Sequence, residues 1–341
     1  MSSILTLLIG SIGGSIAWVL NAPLPFLTGP AASVTIAALA GLNCRVDLNL
    51  KNMSFIAIGI GLGSGVDPSI FRNVFSWPIT LIGMVLNVAL MLRLGSVIFQ
   101  KIFAIDRTTA MLASTPGHLS YVLSLSEDAH ANSLLISVIQ SIRVLTLTLA
   151  VPATIMIFTD FNMTSTDYTA EILSHFHFIV LLIFSVILGY IFKSLSFPAP
   201  FLIGGMVSST FGHSVALTPG SLNSFITIVA FIILGSLIGS RFTGVKLKTL
   251  KVAGIQGAIF TLMALALSIF IAWTISTLTN FTFIEILIAI APGGFETMLA
   301  MGTFLKIDPT FITFHHLGRI FLLSLIVPIV LRPKKSLKKG H

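Results

Sequence analysis

The chain has 341 residues, of which 55% are hydrophobic and only 9% are charged, against about 25% charged in an ordinary soluble domain. Nineteen Lys and Arg against eleven Asp and Glu give a net charge of +8, and no charged side chain occurs from Met1 to Cys44. With a mean hydropathy of +1.03, these figures exclude a water-soluble enzyme and a disordered chain and leave an all-α polytopic membrane protein.

In chain order, six apolar runs fill the first half, at about 3–20, 24–42, 53–66, 74–99, 108–126 and 133–158. The third is short and glycine-rich, and the fifth is broken at Pro116-Gly117. A polar extracytoplasmic linker, 161–174, follows Asp160 and carries Asp167 and Glu171. Six more runs come next, at about 175–192, 198–217, 223–240, 252–278, 284–305 and 310–331, the fifth again broken, at Pro292-Gly293. Most reach the roughly 20 residues that a ~30 Å hydrocarbon core requires. A basic tail, 333–341, ends the chain. The N-terminus has no basic n-region and no small-residue cleavage site, so the first run is read as a retained span. The single Cys44 excludes an internal disulfide. Basic residues sit in short links and in the tail rather than on a soluble face. That distribution excludes a nucleic-acid partner and points to contact with the lipid bilayer.

The two sets of runs repeat one another. Ala22–Ser33 aligns with Phe197–Ser208 at an offset of 175, with six of twelve positions identical, among them Pro23/Pro198, Pro25/Pro200 and Gly29/Gly204. At an offset of 176 the matches continue through Gly59/Gly235, Gly63/Gly239, Pro116/Pro292, Gly117/Gly293, Arg143/Arg319 and Pro152/Pro328. We read two membrane repeats, 1–160 and 175–332. The period is far too long for a solenoid.

Charge orients them. If all twelve runs span, nine Lys and Arg fall on the side of the termini and seven on the other. If each Pro-Gly run is re-entrant, the count becomes fourteen and two. The positive-inside rule selects the second arrangement, with both termini cytoplasmic in a bacterial inner membrane. Each repeat then has five spans, giving about ten transmembrane helices, two re-entrant segments and opposite orientations. Such an inverted-topology internal repeat is the architecture of secondary transporters.

Three features could carry chemistry. The first is the pair Thr115-Pro116-Gly117-His118 and Ala291-Pro292-Gly293-Gly294. Proline lacks an amide hydrogen and glycine tolerates positive φ, so each pair ends a helix and frees backbone groups for a substrate. A plain helix kink is the alternative. The second is Arg143 with Arg319, each near the middle of its run, where an arginine is costly without a partner or purpose. Gln140 and His316 precede them by three and share their helix faces. Two readings stay open for the arginines: tying down free carbonyls of the tip, or direct capture of an anionic substrate. The third is Glu296, which reads either as a static counter-ion or as the carrier of a coupling proton or sodium ion. The histidines are scattered, so no metal site is assigned, no other cofactor is expected and no catalytic residue is named. The glycine pairs at i, i+4 read as packing faces.

The twin P-x-P-x-L-x-G segments (Pro23–Gly29 and Pro198–Gly204), the twin Pro-Gly tips and the Q-S-x-R and H-x-x-R helices of Arg143 and Arg319, read as ending in Pro152 and Pro328, resemble the AbrB membrane-duplication family over about 15–331. The chain departs at Gly117-His118, where the pattern prefers Gly-Gly. The resemblance implies a transporter, or by its other labels a membrane-embedded regulator of gene expression or an ammonia monooxygenase. We expect a secondary transporter of a small organic anion working by alternating access, not an enzyme. A homodimer is an open alternative to a monomer.

Overall fold

The computed structural model describes residues 3–64, 77–116, 122–123, 125–126, 129–158, 172–195, 197, 199–215 and 217–331, the side chains at 155–158, 247, 296, 303, 304 and 328 excepted. The described residues form thirteen helices: α1 (Ser3–Val19), α2 (Pro25–Leu39), α3 (Leu48–Gly63), α4 (Pro78–Lys101), α5 (Arg107–Ser114), α6 (Ser133–Phe158), α7 (His175–Ser194), α8 (Pro200–Ser214), α9 (Ser224–Ser240), α10 (Leu247–Ser276), α11 (Phe283–Ile290), α12 (Phe295–Phe304) and α13 (Pro309–Leu331).

The chain punctuates these helices locally. Pro25, Pro78 and Pro200 open α2, α4 and α8, where a missing N–H costs nothing. Asp47, Asp106, Ser174, Asn223 and Thr282 accept first-turn N–H groups of α3, α5, α7, α9 and α11. The residues before Pro25 and Pro200 share an uncommon backbone state: Leu24 has φ 47° and Ala199 has φ 45°. Left-handed conformations at non-glycine residues cost on the order of 1–3 kcal/mol, so surrounding packing must hold both in place.

Five helices, α4, α6, α7, α10 and α13, are long and apolar enough to cross a membrane. The helices α1, α2, α3, α8 and α9 have only 15 to 17 residues, or about 22–26 Å. The expectation of ten spans therefore divides into five long helices and five short ones. In two of the short helices the apolar run continues past the helix end. The run at 24–42 stops being helical after Leu39, and the run at 198–217 stops after Ser214.

The direction of the helices follows from contacts at their ends. Thr6 accepts the Arg45 N–H at 3.1 Å and Thr243 donates to the Cys44 carbonyl at 2.8 Å. The start of α3 therefore lies at the face where α9 ends. At the other face Gly61 of α3 approaches Leu222, just before α9. These two helices therefore run antiparallel to one another.

The start of each broken run lies beside the start of the long helix that follows it. In the second half, Phe281 ahead of α11 stacks on Phe311 at the start of α13, with centroids 4.8 Å apart. In the first, Asn132 ahead of α6 donates its N–H to Thr109 of α5 at 3.0 Å. Eight residues of α5 or α11 reach only about 12 Å, so neither arm crosses alone.

Packing sorts the helices into two bodies. One contains α1, α2, α3, α7, α8 and α9; the other contains α4, α5, α6, α10, α11, α12 and α13. They meet chiefly where α6 touches α2 and α9 and where α12 touches α3. Inside the first body, α3 lies on α8 and α2 on α9. A Cβ at Gly59 would strike the Leu202 carbonyl, and one at Gly235 the Leu27 carbonyl. Only glycine lets these backbones approach so closely.

Candidate functional site

The second tip shows the local logic most fully. An α-helix bonds each N–H to the carbonyl four residues back. Pro292 has no N–H, so the carbonyl of Ile288 loses its partner inside a buried helix. His316, fully buried on α13, fills that vacancy: its Nε2 lies 2.9 Å from the Ile288 oxygen. Arg319, one turn further, donates from NH1 to the Ala291 carbonyl at 2.7 Å and from NH2 to the Gly293 carbonyl at 3.4 Å. Its NH2 also lies 2.9 Å from Nδ1 of His316. A carbonyl only accepts and a guanidinium only donates. His316 is therefore the neutral Nε2–H tautomer, giving its proton to Ile288 and accepting from Arg319.

The first tip repeats this scheme with different chemistry. Pro116 removes the partner of the Leu112 carbonyl, and Gln140 Nε2 reaches that oxygen at 3.2 Å and the Thr115 oxygen at 2.9 Å. Arg143 NH1 donates to the Thr115 carbonyl at 3.0 Å. Both arginine contacts span 28 residues, as do the bonds from Gln140 to Leu112 and from His316 to Ile288. An amide and an imidazole thus supply the same missing donor at matching places.

Of the two readings left open for the arginines, carbonyl anchoring is the one the contacts display. It does not use up the guanidinium groups. The Nε atoms of Arg143 and Arg319, and Oε1 of Gln140, are buried without a hydrogen-bond partner. Arg143 and Arg319 are only 2% and 3% exposed. The two tips therefore each carry a buried guanidinium group.

Thr115, Pro116, Gln140, Arg143, Pro292, Gly293, Gly294, His316 and Arg319 are all assembled at the two tips. Gly117 and His118 lie outside the described residues. Glu296 belongs to α12, immediately after the second tip, and its side chain is likewise outside the description. Glu285 caps α11 at the exposed end, bonded to Thr282, away from the tip.

One buried group escaped the sequence reading. Asn87 of α4 is 1% exposed and donates to Ser268 at 3.1 Å and to the Ile290 carbonyl at 3.0 Å, a further clamp on the second tip. A lone amide inside a long apolar run was the available signal. His315 turns away from the tip and bonds Thr80 and the Phe311 carbonyl. Among the described residues no group of three or more His, Cys, Asp or Glu gathers.

Comparison with known proteins places the chain. A family model described as "Transition state regulatory protein AbrB" matches residues 26–333. A Bacillus subtilis (strain 168) protein named "Uncharacterized protein YhjN" is 27% identical over 293 residues, covering 80% of this chain and 75% of that one. An Escherichia coli (strain K12) protein named "Putative regulator AbrB" is 22% identical over 335 residues, covering 92% of each. No solved structure matches the chain.

Proposed function

The chain belongs to the AbrB family, and from that premise we propose that it is a secondary transporter of a small organic anion. The two Pro-Gly tips form the substrate site, and the protein works by alternating access as an internally duplicated, inverted repeat in the bacterial inner membrane. The observation that carries this reading is the pair of buried arginines, each holding a broken helix by its carbonyls while keeping a guanidinium donor unspent. Buried charge without function is expensive in a membrane. The division into two bodies supports the reading as well, because one body holds both tips and the other can serve as the frame against which it moves.

In this mechanism the spare arginine donors and the freed amides at the start of α12 grip a carboxylate. Glu296 carries the coupling proton or sodium ion. A helix N-terminus favours negative charge, and two arginines strengthen that preference.

The test is binding of mono- and dicarboxylates to purified protein, followed by counterflow in proteoliposomes. Arg143→Lys and Arg319→Lys keep the charge, and a lysine can still reach one tip carbonyl, but the planar fork is lost. Both variants should insert and fold while binding falls at least about tenfold, the roughly 1.4 kcal/mol of a lost hydrogen bond from the spare Nε to a charged ligand. Folded variants with unchanged affinity, or a wild-type protein that binds no carboxylate in the panel, would overturn the assignment. A second reading, a membrane-embedded regulator, rests on the family description and on the name of the Escherichia coli relative. It predicts altered gene expression on deletion with no flux of any anion.

A further inference from the structure

Away from the tips, a cavity of about 620 Å³ opens where α3, α7 and α8 of one body face α13 of the other. Lys51 and Lys193 stand at its mouth, and Phe55, Phe197, Phe201 and Phe321 form much of its wall. The lysine end lies at the face where α3 begins and α7 ends, the face that also carries Arg45 and Arg241. Phe321 is 54% exposed and Leu195 is 61% exposed, so the apolar wall continues onto the outer surface of the helices. The two ammonium groups are held over ring faces, Lys51 at 5.3 Å from Phe55 and Lys193 at 5.9 Å from Tyr190. Cation–π contact within about 6 Å keeps a lysine at the mouth without neutralising it.

None of these residues belongs to the tip machinery. The repeat-related positions on the opposite face are Trp18 and Thr227, so the charge exists on one face alone. A small hydrated anion gains nothing from four phenylalanines, and a neutral lipid gains nothing from two lysines. We propose that this cavity binds an anionic phospholipid, with the phosphate between Lys51 and Lys193 and an acyl chain along Phe197 and Phe321. The lipid spans both bodies and so acts on their relative position. The proposal is independent of whether the tips transport an anion.

Native mass spectrometry of the purified full chain, titrated with phosphatidylglycerol or phosphatidylcholine, tests it. Each lysine is expected to contribute about fivefold in affinity, so Lys51→Gln with Lys193→Gln weakens phosphatidylglycerol binding by about twenty-fivefold. The pair Lys51→Arg with Lys193→Arg retains binding. Lys248→Gln with Lys251→Gln, exposed on the same face but not lining the cavity, leaves binding unchanged. Wild-type affinity in the glutamine double variant would overturn the proposal, as would equal binding of phosphatidylcholine. So would inorganic phosphate competing as well as the lipid, because the cavity would then be a free-anion site. An equal loss in the Lys248 and Lys251 control would reduce the effect to diffuse surface charge and also overturn it.

Discussion

Replacing His316 with leucine removes a donor and an acceptor at one stroke. The Ile288 carbonyl, already deprived of a helical partner by Pro292, would have none, and the NH2 group of Arg319 would lose its contact with Nδ1. A buried carbonyl left unsatisfied costs about 1–3 kcal/mol, and a hydrogen bond to a charged group is worth about 1.5–3 kcal/mol. Together they predict a loss of about 2.5–6 kcal/mol for His316→Leu. Glutamine offers an amide donor and a carbonyl acceptor at similar reach, and the first half already uses one in this role at Gln140. His316→Gln should therefore stay within about 1 kcal/mol of the parent. Unfolding in detergent can be followed by Trp77, buried against Phe311, Phe314 and His315. A thiol-reactive dye on Cys44 reports on the other body, since burial pushes that thiol up and slows its reaction in the folded state. If leucine were as stable as histidine, or glutamine no better than leucine, the donor-replacement account of the tip would be wrong.

Three further outcomes are expected. Gly59→Ala should destabilise by about 1–3 kcal/mol by driving a Cβ into the Leu202 carbonyl, whereas Gly61→Ala, with only Leu222 at 3.8 Å, should be harmless; parallel thermal melts that fail to separate them would refute the close-approach argument. Burial raises the Asp308 carboxyl above its usual range even though it accepts the Thr310 N–H. A raised folded value means full stability below the unfolded value and a loss as pH rises through the folded one. Asp308→Asn, which keeps the capping acceptor, should accordingly melt at or above the parent at neutral pH, with the gap closing in acid; a lower melting point for the asparagine variant at neutral pH would contradict this. Cysteines at Asn21 and Ser174 in a Cys44→Ser background should label from one side of the membrane and those at Ser194 and Lys248 from the other, and shared labelling of Asn21 with Ser194 would exclude opposed orientations.

The regularities of this fold were legible where they are written twice. One offset aligns the prolines, the glycines and the arginines, and the apolar runs gave the all-α membrane class before any contact was known. The bonding at the tips was only half legible. Sequence placed Gln140 and His316 on the arginine faces, yet it could not show that each replaces the N–H missing from a proline 24 residues earlier in the chain. Asn87 stayed hidden because its partner positions lie in other segments and its repeat counterpart is Met263. The division into two bodies was equally invisible. It depends on glycine faces meeting across about 150 to 200 residues of chain, and a motif that says small residues pack does not say against what.

The pairing of α3 with α8 and of α2 with α9 bears on how the protein is made. Helices α2 and α3 leave the ribosome early, but the surfaces that receive Gly59 and flank Leu27 are synthesised only with α8 and α9. Until then their closest-packing faces have no complement, and α1 is the main neighbour that α2 can use. A nascent chain ending near residue 160 would hold an unfinished frame in the bilayer, open to capture by an insertase or a membrane protease. Between emergence of α3 and of α9 these faces stay unpaired, and synonymous codon changes that lengthen the interval should lower yield without altering the mature molecule.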